Sequence, residues 1–97
     1  MIDLDPIYLA QIKSILKKHL PGITVKVFGS RVTGKAKLYS DLDLAIIAKN
    51  AITVDKLNEV KFAFSNSNLP IMVDIVDWHD LSKKFQKIID AESQPLI

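Results

Sequence analysis

The sequence has no cysteine and no long apolar run, and these absences narrow the classes of protein that it can belong to. Without cysteine there is neither a disulfide framework nor a thiolate metal site. No apolar run approaches the roughly 20 residues that a membrane-spanning helix needs. The first residues, MIDLDPIYL, are acidic and lack the basic region of a signal peptide. We therefore predict a cytoplasmic protein with no membrane association.

A strong charge of either sign is also missing. The net charge of 97 residues is +2, which by itself gives no argument for direct nucleic-acid binding. Apolar residues make up 48% and charged residues 25%, which is typical of a soluble globular protein. A chain of this length can form a modest core. We therefore predict one domain over residues 1–97, without linkers or repeats.

Apolar periodicity predicts that helices and strands alternate along the chain. A first helix is capped by Asp5 and stopped by Pro21 and Gly22, and a second begins within residues 50–53. A third helix is predicted to begin at a cap formed by Asp77. The predicted strands cover residues 23–28, 41–48 and 71–76. The second helix is expected to turn Leu57, Val60, Lys61 and Phe64 inward, and the aromatic residues assigned to the core are Phe62, Phe64 and Phe85.

Three aspartates lie in or beside strands in which the core needs apolar residues. Asp41 and Asp43 are two residues apart, so on a strand their side chains share a face. Asp74 lies between aliphatic residues of the third predicted strand. Buried carboxylates without partners are unfavourable and repel one another, and a Mg²⁺ ion would relieve both effects. The alternative is that Asp41 caps a turn and Asp43 lies on an exposed edge.

The segment between the first two strands supports two interpretations. Residues 29–36, GSRVTGKA, nearly match the P-loop pattern G-x-x-x-x-G-K-[ST], but Ala36 lacks the hydroxyl that would bind Mg²⁺. A P-loop NTPase also needs a larger parallel sheet than this chain could supply. In either interpretation the glycines allow the backbone to approach phosphate closely.

The same segment resembles the signature of the DNA polymerase β-like nucleotidyltransferases, in particular the minimal nucleotidyltransferase proteins. That signature is Gly-Ser, ten intervening residues and Asp-x-Asp. Here it stands as Gly29-Ser30, then Gly34, then SDLDL over residues 40–44. The third carboxylate of the family lies in a later strand of the type V-D-I/L-V, which VDIV at residues 73–76 matches. The resemblance covers nearly the whole chain.

This resemblance implies an α/β (α+β) fold in which helices flank a short mixed β-sheet and three carboxylates meet at one edge. Asp41, Asp43 and Asp74 would be the catalytic residues and the metal ligands, holding two Mg²⁺ ions on the triphosphate of ATP or another NTP. Asp74 would also help to deprotonate the acceptor hydroxyl. The candidates for nucleotide and phosphate binding are Gly29, Ser30, Arg31, Lys35 and Ser40.

The resemblance also implies a partner, because 97 residues leave no room for an acceptor-binding domain. Minimal nucleotidyltransferases are typically encoded beside a small helical HEPN-family protein, which can be a ribonuclease toxin, and some transfer AMP to a tyrosine of it. We therefore expect an AMP-transferring antitoxin that forms a hetero-oligomer or a homo-oligomer. One alternative is a non-catalytic antitoxin that binds a HEPN protein. The other is a catalytic subunit for a small molecule or RNA held by a separate chain.

Overall fold

A computed structural model describes residues 2–97 and places four helices and four strands within them. The helices and strands alternate through most of the chain, as the periodicity predicts. The helices are α1 (Pro6–His19), α2 (Ser30–Thr33), α3 (Val54–Ser65) and α4 (Lys83–Ala91). The strands are β1 (Thr24–Phe28), β2 (Leu42–Ile47), β3 (Val73–Asp77) and β4 (Gln94–Pro95).

The cap predicted at Asp5 is present, and the second predicted helix begins next to its expected range. The Asp5 side chain accepts a hydrogen bond from the Ile7 N–H at 2.9 Å, and Pro6 occupies the first turn of α1. The Thr53 hydroxyl accepts one from the Lys56 N–H at 3.1 Å and begins α3. These caps satisfy N–H groups that have no acceptor within their own helix.

The four strands form one mixed sheet in the order β3-β2-β1-β4. Strands β1 and β2 are antiparallel, β2 and β3 are parallel, and β4 adds two residues antiparallel to β1. This arrangement confirms the predicted short mixed sheet flanked by helices. It is not the all-parallel sheet of βαβ units on which a P-loop depends, so the P-loop interpretation is wrong.

The two faces of the sheet are covered unequally. On one face, α1 and α3 pack over a core to which β1, β2 and β3 contribute. On the other face, Phe28 points away from that core because it alternates with Val27. Its ring meets the Phe85 ring of α4 edge to face, with centroids 5.8 Å apart. The fully buried core side chains on the α1–α3 face are Ile12, Leu16, Val25, Val27, Leu42, Leu44, Ile46 and Val60.

The start of the last helix differs from the prediction. Asp77 does not cap α4, because its side chain caps a short 3-10 helix, Trp78–Asp80, by accepting a hydrogen bond from the His79 N–H at 3.0 Å. α4 begins after Ser82, whose hydroxyl accepts from the Phe85 N–H at 3.2 Å. Aspartate and serine are both good caps, so the sequence pattern alone did not distinguish the two positions.

Three predicted core assignments are wrong. Phe62 is 70% exposed and Phe85 is 39% exposed, whereas Phe64 is buried as expected. Lys61 is also exposed, although it was expected on the inner side of its helix. α3 turns Val60 and Phe64, which are four residues apart, towards the sheet. Lys61 and Phe62 lie between them in sequence, so their side chains point to other sides of the helix.

None of the helices within residues 2–97 is both long enough and apolar enough to cross a bilayer.

Candidate active site

The predicted carboxylates lie at one end of the two parallel strands. Asp43 is the second residue of β2 and Asp74 is the second residue of β3, and the strand register pairs them directly. Side chains of directly paired residues point to the same face of a sheet. Asp41 immediately precedes β2 and is exposed. The fold therefore brings the three aspartates of the signature to the same edge.

The position of β2 decides between the two interpretations of Asp43. β2 lies between β1 and β3, so Asp43 is on an interior strand and is only partly exposed. Burial is the main cause that raises the pKa of Asp43, and the negative charges of Asp74 and then Asp41 raise it further. The exposed-edge interpretation of Asp43 is therefore wrong. The ionised carboxylate lies where burial and two like charges oppose it.

The carboxylate oxygens at this site suit a hard divalent cation, but they do not by themselves supply a complete set of ligands. The groups at this edge are carboxylate oxygens, which Mg²⁺ prefers, and a cation would offset the repulsion around Asp43. Within residues 2–97, however, no three acidic or histidine side chains are arranged so that they could hold one ion together. Mg²⁺ often binds through one or two carboxylates and takes its remaining ligands from substrate phosphates and water. Asp41 and Asp43 fit that pattern, and the predicted role of Asp74 as a metal ligand stays a prediction.

The Gly29-Ser30 turn lies against the same carboxylate. Phe28, the last residue of β1, pairs with Asp43, so the turn that follows it passes beside the Asp43 side chain. A Cβ atom on Gly29 would clash with Asp43 Oδ2 and would lie 3.2 Å from its Cγ. Gly29 also has a φ of 80° and a ψ of −156°, a conformation that other residues avoid. A glycine is needed here both for the turn and for the close approach to Asp43.

Ser30 begins α2, and its position suits the predicted role in phosphate binding. The first N–H groups of a helix have no acceptor within it and are directed outwards from its start. Val32 and Thr33 donate their N–H groups to the Gly29 carbonyl at 3.1 and 3.2 Å, which fixes the turn. Gly34 ends α2 in the left-handed conformation.

Arg31 is used differently from the expectation. Its side chain is buried, and the guanidinium donates to the carbonyl oxygens of Asp3, Lys37, Leu38 and Ser40 at 2.7–3.4 Å. A guanidinium bound in this way has little donor capacity left for a phosphate. Arg31 therefore holds the polypeptide before Asp41, and its predicted role in charge neutralisation is not supported by these contacts.

Ser40 and Lys35 also have specific places. The Ser40 hydroxyl accepts a hydrogen bond from the Lys37 N–H at 2.8 Å, so it shapes the turn before Asp41. Lys35 is exposed and lines a cleft of about 440 Å³ between α2 and the C-terminal residues. Its backbone N–H donates to the Ser30 carbonyl at 3.2 Å. The sequence pattern had no signal for the contribution of Asp3, because Asp3 takes part through its backbone.

Asp41 and Asp74 are exposed, whereas Asp43 is partly buried. A groove of about 620 Å³ lies on the other side of the turn before Asp41 and is lined partly by Tyr8, Tyr39 and Ile71. None of the three aspartates lines that groove. Tyr39 is 78% exposed.

Comparison with known proteins agrees with the geometry. The sequence matches the family "Polymerase beta, Nucleotidyltransferase" over residues 10–97. A protein of Haemophilus influenzae named probable protein adenylyltransferase MntA is 48% identical over 88 residues, which cover 91% of this chain and 77% of that protein. The matched range, residues 10–97, includes every position of the signature.

Two solved structures show the same fold. A toxin–antitoxin crystal structure with AMP-PNP has a TM-score of 0.76 and 23% identity, covering 92% of this chain and 72% of that chain. A tri-AMPylated HEPN toxin of Shewanella oneidensis in complex with MNT antitoxin has a TM-score of 0.67 and 20% identity, covering 94% of this chain and 70% of that chain. At these identities the two structures establish the likeness of fold.

Proposed function

This chain belongs to the polymerase beta nucleotidyltransferase family, and we propose that it is a Mg²⁺-dependent protein adenylyltransferase that acts as an antitoxin. The donor would be ATP and the acceptor a tyrosine hydroxyl of a HEPN-type toxin encoded beside it. The observation that carries this proposal is the pairing of Asp43 with Asp74, next to Asp41 and the Gly29 turn. ATP and a toxin partner would place the protein in the cytoplasm.

The proposed roles follow from the positions of the side chains. Asp41 and Asp43 would hold the metal, with two ions as the full complement and with Asp74 contributing once the nucleotide is bound. Bound Mg²⁺ supplies charge neutralisation for the triphosphate and for the leaving pyrophosphate. Ser30 and the backbone at Gly29 would contact the distal phosphates, and the exposed Lys35 can move towards them. Arg31 and Ser40 would act on the turn rather than on the nucleotide.

Asp74 is the residue best placed to accept a proton. It is exposed at the sheet edge beside Asp43, where an incoming hydroxyl can reach it. In the transfer, the acceptor oxygen forms a bond to the α-phosphorus and gives up its proton to Asp74. The bond between the α-phosphorus and the bridging oxygen breaks, and pyrophosphate leaves. A positioned base of this kind contributes roughly 10²- to 10⁴-fold to such a step.

Two further observations support a protein acceptor on another chain. Asp41 and Asp74 are exposed, so a hydroxyl carried on the surface of another protein can reach them. The Haemophilus influenzae relative carries the name of a protein adenylyltransferase, and the solved structures of the same fold include toxin–antitoxin complexes. The AMP groups on the Shewanella oneidensis toxin are the modification that this reaction would produce.

The experiment that tests the proposal uses ATP labelled at the α-phosphate, Mg²⁺ and the protein encoded by the adjacent gene. We expect label on the partner with the wild-type chain, and no label with Asp43→Asn. Asp55→Asn is the matched control, because it removes an exposed carboxylate on α3, away from the site, and should retain transfer. ATP labelled at the γ-phosphate should leave no label, which excludes phosphorylation.

The other outcomes of the same experiment identify the alternatives. A tight complex that forms equally well with wild type and Asp43→Asn, without label in either, would indicate a non-catalytic antitoxin. Label in neither protein and no complex would instead direct the search to a small molecule or an RNA presented by another chain. Either result would contradict the proposed protein adenylyltransferase.

A further inference from the structure

The turn that leads into Asp41 has little contact with the rest of the molecule. We name residues 37–40 the site loop. Within it, the Lys37 N–H donates to the Ser40 hydroxyl at 2.8 Å and the Ser40 N–H donates to the Lys37 carbonyl at 3.1 Å. Leu38 and Tyr39 at its tip are 76% and 78% exposed, so apolar burial does not hold the tip in place.

Arg31 is the residue that connects the site loop to the body of the protein. Its guanidinium makes five hydrogen bonds, of which four end on carbonyl oxygens of the site loop. Two of these four, from Nε at 3.1 Å and from Nη2 at 2.8 Å, share the Ser40 carbonyl. In residues 2–97, every hydrogen bond that joins the site loop to residues outside it comes from this side chain. The loop therefore depends on one buried cation.

The same residue also binds the N-terminal segment in both directions. Arg31 Nη1 donates to the Asp3 carbonyl at 2.7 Å, and the Asp3 N–H donates to the Arg31 carbonyl at 2.7 Å. This reciprocal pair fixes the arginine backbone as well as its side chain. The anchor for the site loop is therefore itself held from two sides.

The guanidinium has no carboxylate partner, which separates its role from that of an ordinary buried ion pair. Across the described range, 2–97, the ion pairs involve Lys56 and His19 with Glu59, and none includes Arg31. Arg31 is only 5% exposed, so its charge is satisfied by carbonyl dipoles alone. A planar fork of five N–H donors can serve several carbonyl oxygens at once, and a lysine ammonium cannot reproduce that geometry.

Asp41 lies between two anchors that the structure defines. On one side, the preceding Ser40 carbonyl is held by Arg31. On the other side, the Leu42 N–H donates to the Met72 carbonyl at 3.0 Å, which connects it to the segment before β3. Arg31 directly follows the Gly29-Ser30 turn, so one residue joins the glycine turn to the loop before Asp41.

We propose that Arg31 is a positioning residue that holds the site loop so that Asp41 stays beside Asp43 when the metal and nucleotide bind. The inference rests on the proposed metal-dependent transfer and assigns Arg31 no contact with the nucleotide. Residues that orient a metal ligand from behind, as Arg31 does here through Ser40, influence affinity without touching the ion. Without the guanidinium of Arg31, Asp41 is still present, but it is free to move away from Asp43.

The test compares wild type, Arg31→Lys and the control Lys37→Ala in direct Mn²⁺ binding, measured by electron paramagnetic resonance with a non-hydrolysable ATP analogue. Arg31→Lys keeps the charge and loses the fork, and we expect it to weaken Mn²⁺ binding roughly 10- to 100-fold. Lys37→Ala removes one exposed charge from the same loop and should bind Mn²⁺ as wild type does. Transfer assays should show a raised Mg²⁺ requirement for Arg31→Lys with an unchanged KM for the acceptor protein.

Hydrogen–deuterium exchange provides a second measurement, and its first part needs only the wild type. In the metal-free wild type the Ser40 amide should already exchange slowly, because the hydrogen bonds from Arg31 to the site loop exist before the metal binds. In Arg31→Lys, exchange should rise in the site loop and remain unchanged in β1.

Three results would overturn the inference. The first is equal Mn²⁺ affinity in Arg31→Lys and wild type, and the second is rapid exchange of the Ser40 amide in the metal-free wild type. The third is the absence of Mn²⁺ binding by the wild type itself, which would overturn the proposed function together with the inference. The first two results leave the proposed function standing, so the two failures can be told apart.

Discussion

Two aspartates at opposite ends of β3 have contrasting environments. Asp77 is 3% exposed, and its two carboxylate oxygens accept hydrogen bonds from the Ile52 N–H at 2.9 Å and the His79 N–H at 3.0 Å. Asp74 is exposed and lies beside Asp43, which is partly buried and near a second carboxylate. One end of the strand therefore satisfies its carboxylate, and the other end brings like charges together.

The difference separates a structural carboxylate from a functional one. N–H donors that point at a buried carboxylate stabilise its ionised form and connect the chain segments that supply them. Asp77 connects the loop before α3 to the 3-10 helix in this way. Carboxylates that repel one another without such donors destabilise the fold. Their presence indicates a functional site, in which a bound cation or substrate offsets the repulsion. The four predictions below test this contrast, beginning with the largest expected effect.

Activity should depend on Asp74 and not on Asp77. Asp74→Asn removes the proposed proton acceptor, so label transfer from ATP should fall by roughly 10²- to 10⁴-fold. Asp77→Asn should leave the rate per folded molecule close to that of wild type, because Asp77 lies at the far end of the strand. Initial rates, normalised to the folded fraction from circular dichroism, measure both. Equal losses in the two variants would remove the distinction between the ends of β3.

Stability should show the opposite dependence. Asp77→Ala leaves the Ile52 and His79 N–H groups without their acceptor, and we expect the free energy of unfolding to fall by about 3 kcal/mol. Asp80→Ala is the control, since this nearby aspartate is exposed. Urea unfolding of the metal-free proteins measures both values. A loss below about 1 kcal/mol for Asp77→Ala would mean that Asp77 contributes less than its hydrogen bonds suggest.

Substitution of Gly29, which lies against Asp43, should have a larger effect than substitution of Gly34, which does not contact the site. Gly29→Ala imposes an unfavourable backbone conformation and a clash with the Asp43 carboxylate, so it should destabilise the fold by about 1–3 kcal/mol and abolish Mg²⁺ binding. Gly34→Ala has a similar φ but no atom within 4 Å of the added Cβ. It should cost less, about 1–2 kcal/mol, and retain Mg²⁺ binding. Thermal unfolding with and without Mg²⁺ tests both effects, and equal metal responses would contradict the contact between Gly29 and Asp43.

The smallest expected effect is a pH dependence of metal-free stability. The pKa of Asp43 is raised in the folded protein, so the folded state holds this proton more tightly than the unfolded chain does. Stability should therefore fall as the pH rises from the ordinary aspartate pKa through the raised one. Asp43→Asn has no carboxyl group to ionise here, so it does not lose stability in this pH range. Its melting temperature should therefore equal that of wild type below the range and exceed it above the range. Solvent screens a partly exposed group, so the gap should be roughly a few degrees.

Saturating Mg²⁺ provides the control for that measurement. A bound cation favours the ionised Asp43 and stabilises the folded wild type, so the advantage of Asp43→Asn should disappear or reverse. An Asp43→Asn protein that is less stable than wild type at neutral pH without metal would show that Asp43 is structural. In that case Asp43 would resemble Asp77 rather than contrast with it.

The sequence predicted the parts of this fold that depend on local patterns. The cap at Asp5 and the order of helices and strands are confirmed, because each follows from neighbouring residues along the chain. The likeness to a nucleotidyltransferase depends on the spacing of Gly29, Asp41 and Asp43, which is also a property of the sequence. The close approach of Gly29 to Asp43 is compatible with that spacing, but only the pairing of β1 with β2 produces it.

Where two positions satisfied the same local rule, the sequence did not choose between them. Asp77 and Ser82 are both competent helix caps, and the segment between them became a short 3-10 helix instead of the first turn of α4. Phe62 has the same hydrophobicity as the buried Phe64, and only the rotation of α3 against the sheet separates them. These errors arose because burial depends on which elements pack together.

The sequence alone determined the chemistry of this protein: three carboxylates, a glycine turn and the spacing that joins them. Tertiary structure decided how those groups are supported. Pairing β2 with β3 placed Asp74 next to Asp43, which are far apart along the chain. Folding also buried Arg31, whose guanidinium donates to carbonyl oxygens of the site loop. Its partners are backbone atoms, which every residue carries, so no pattern of side chains could have indicated the contact.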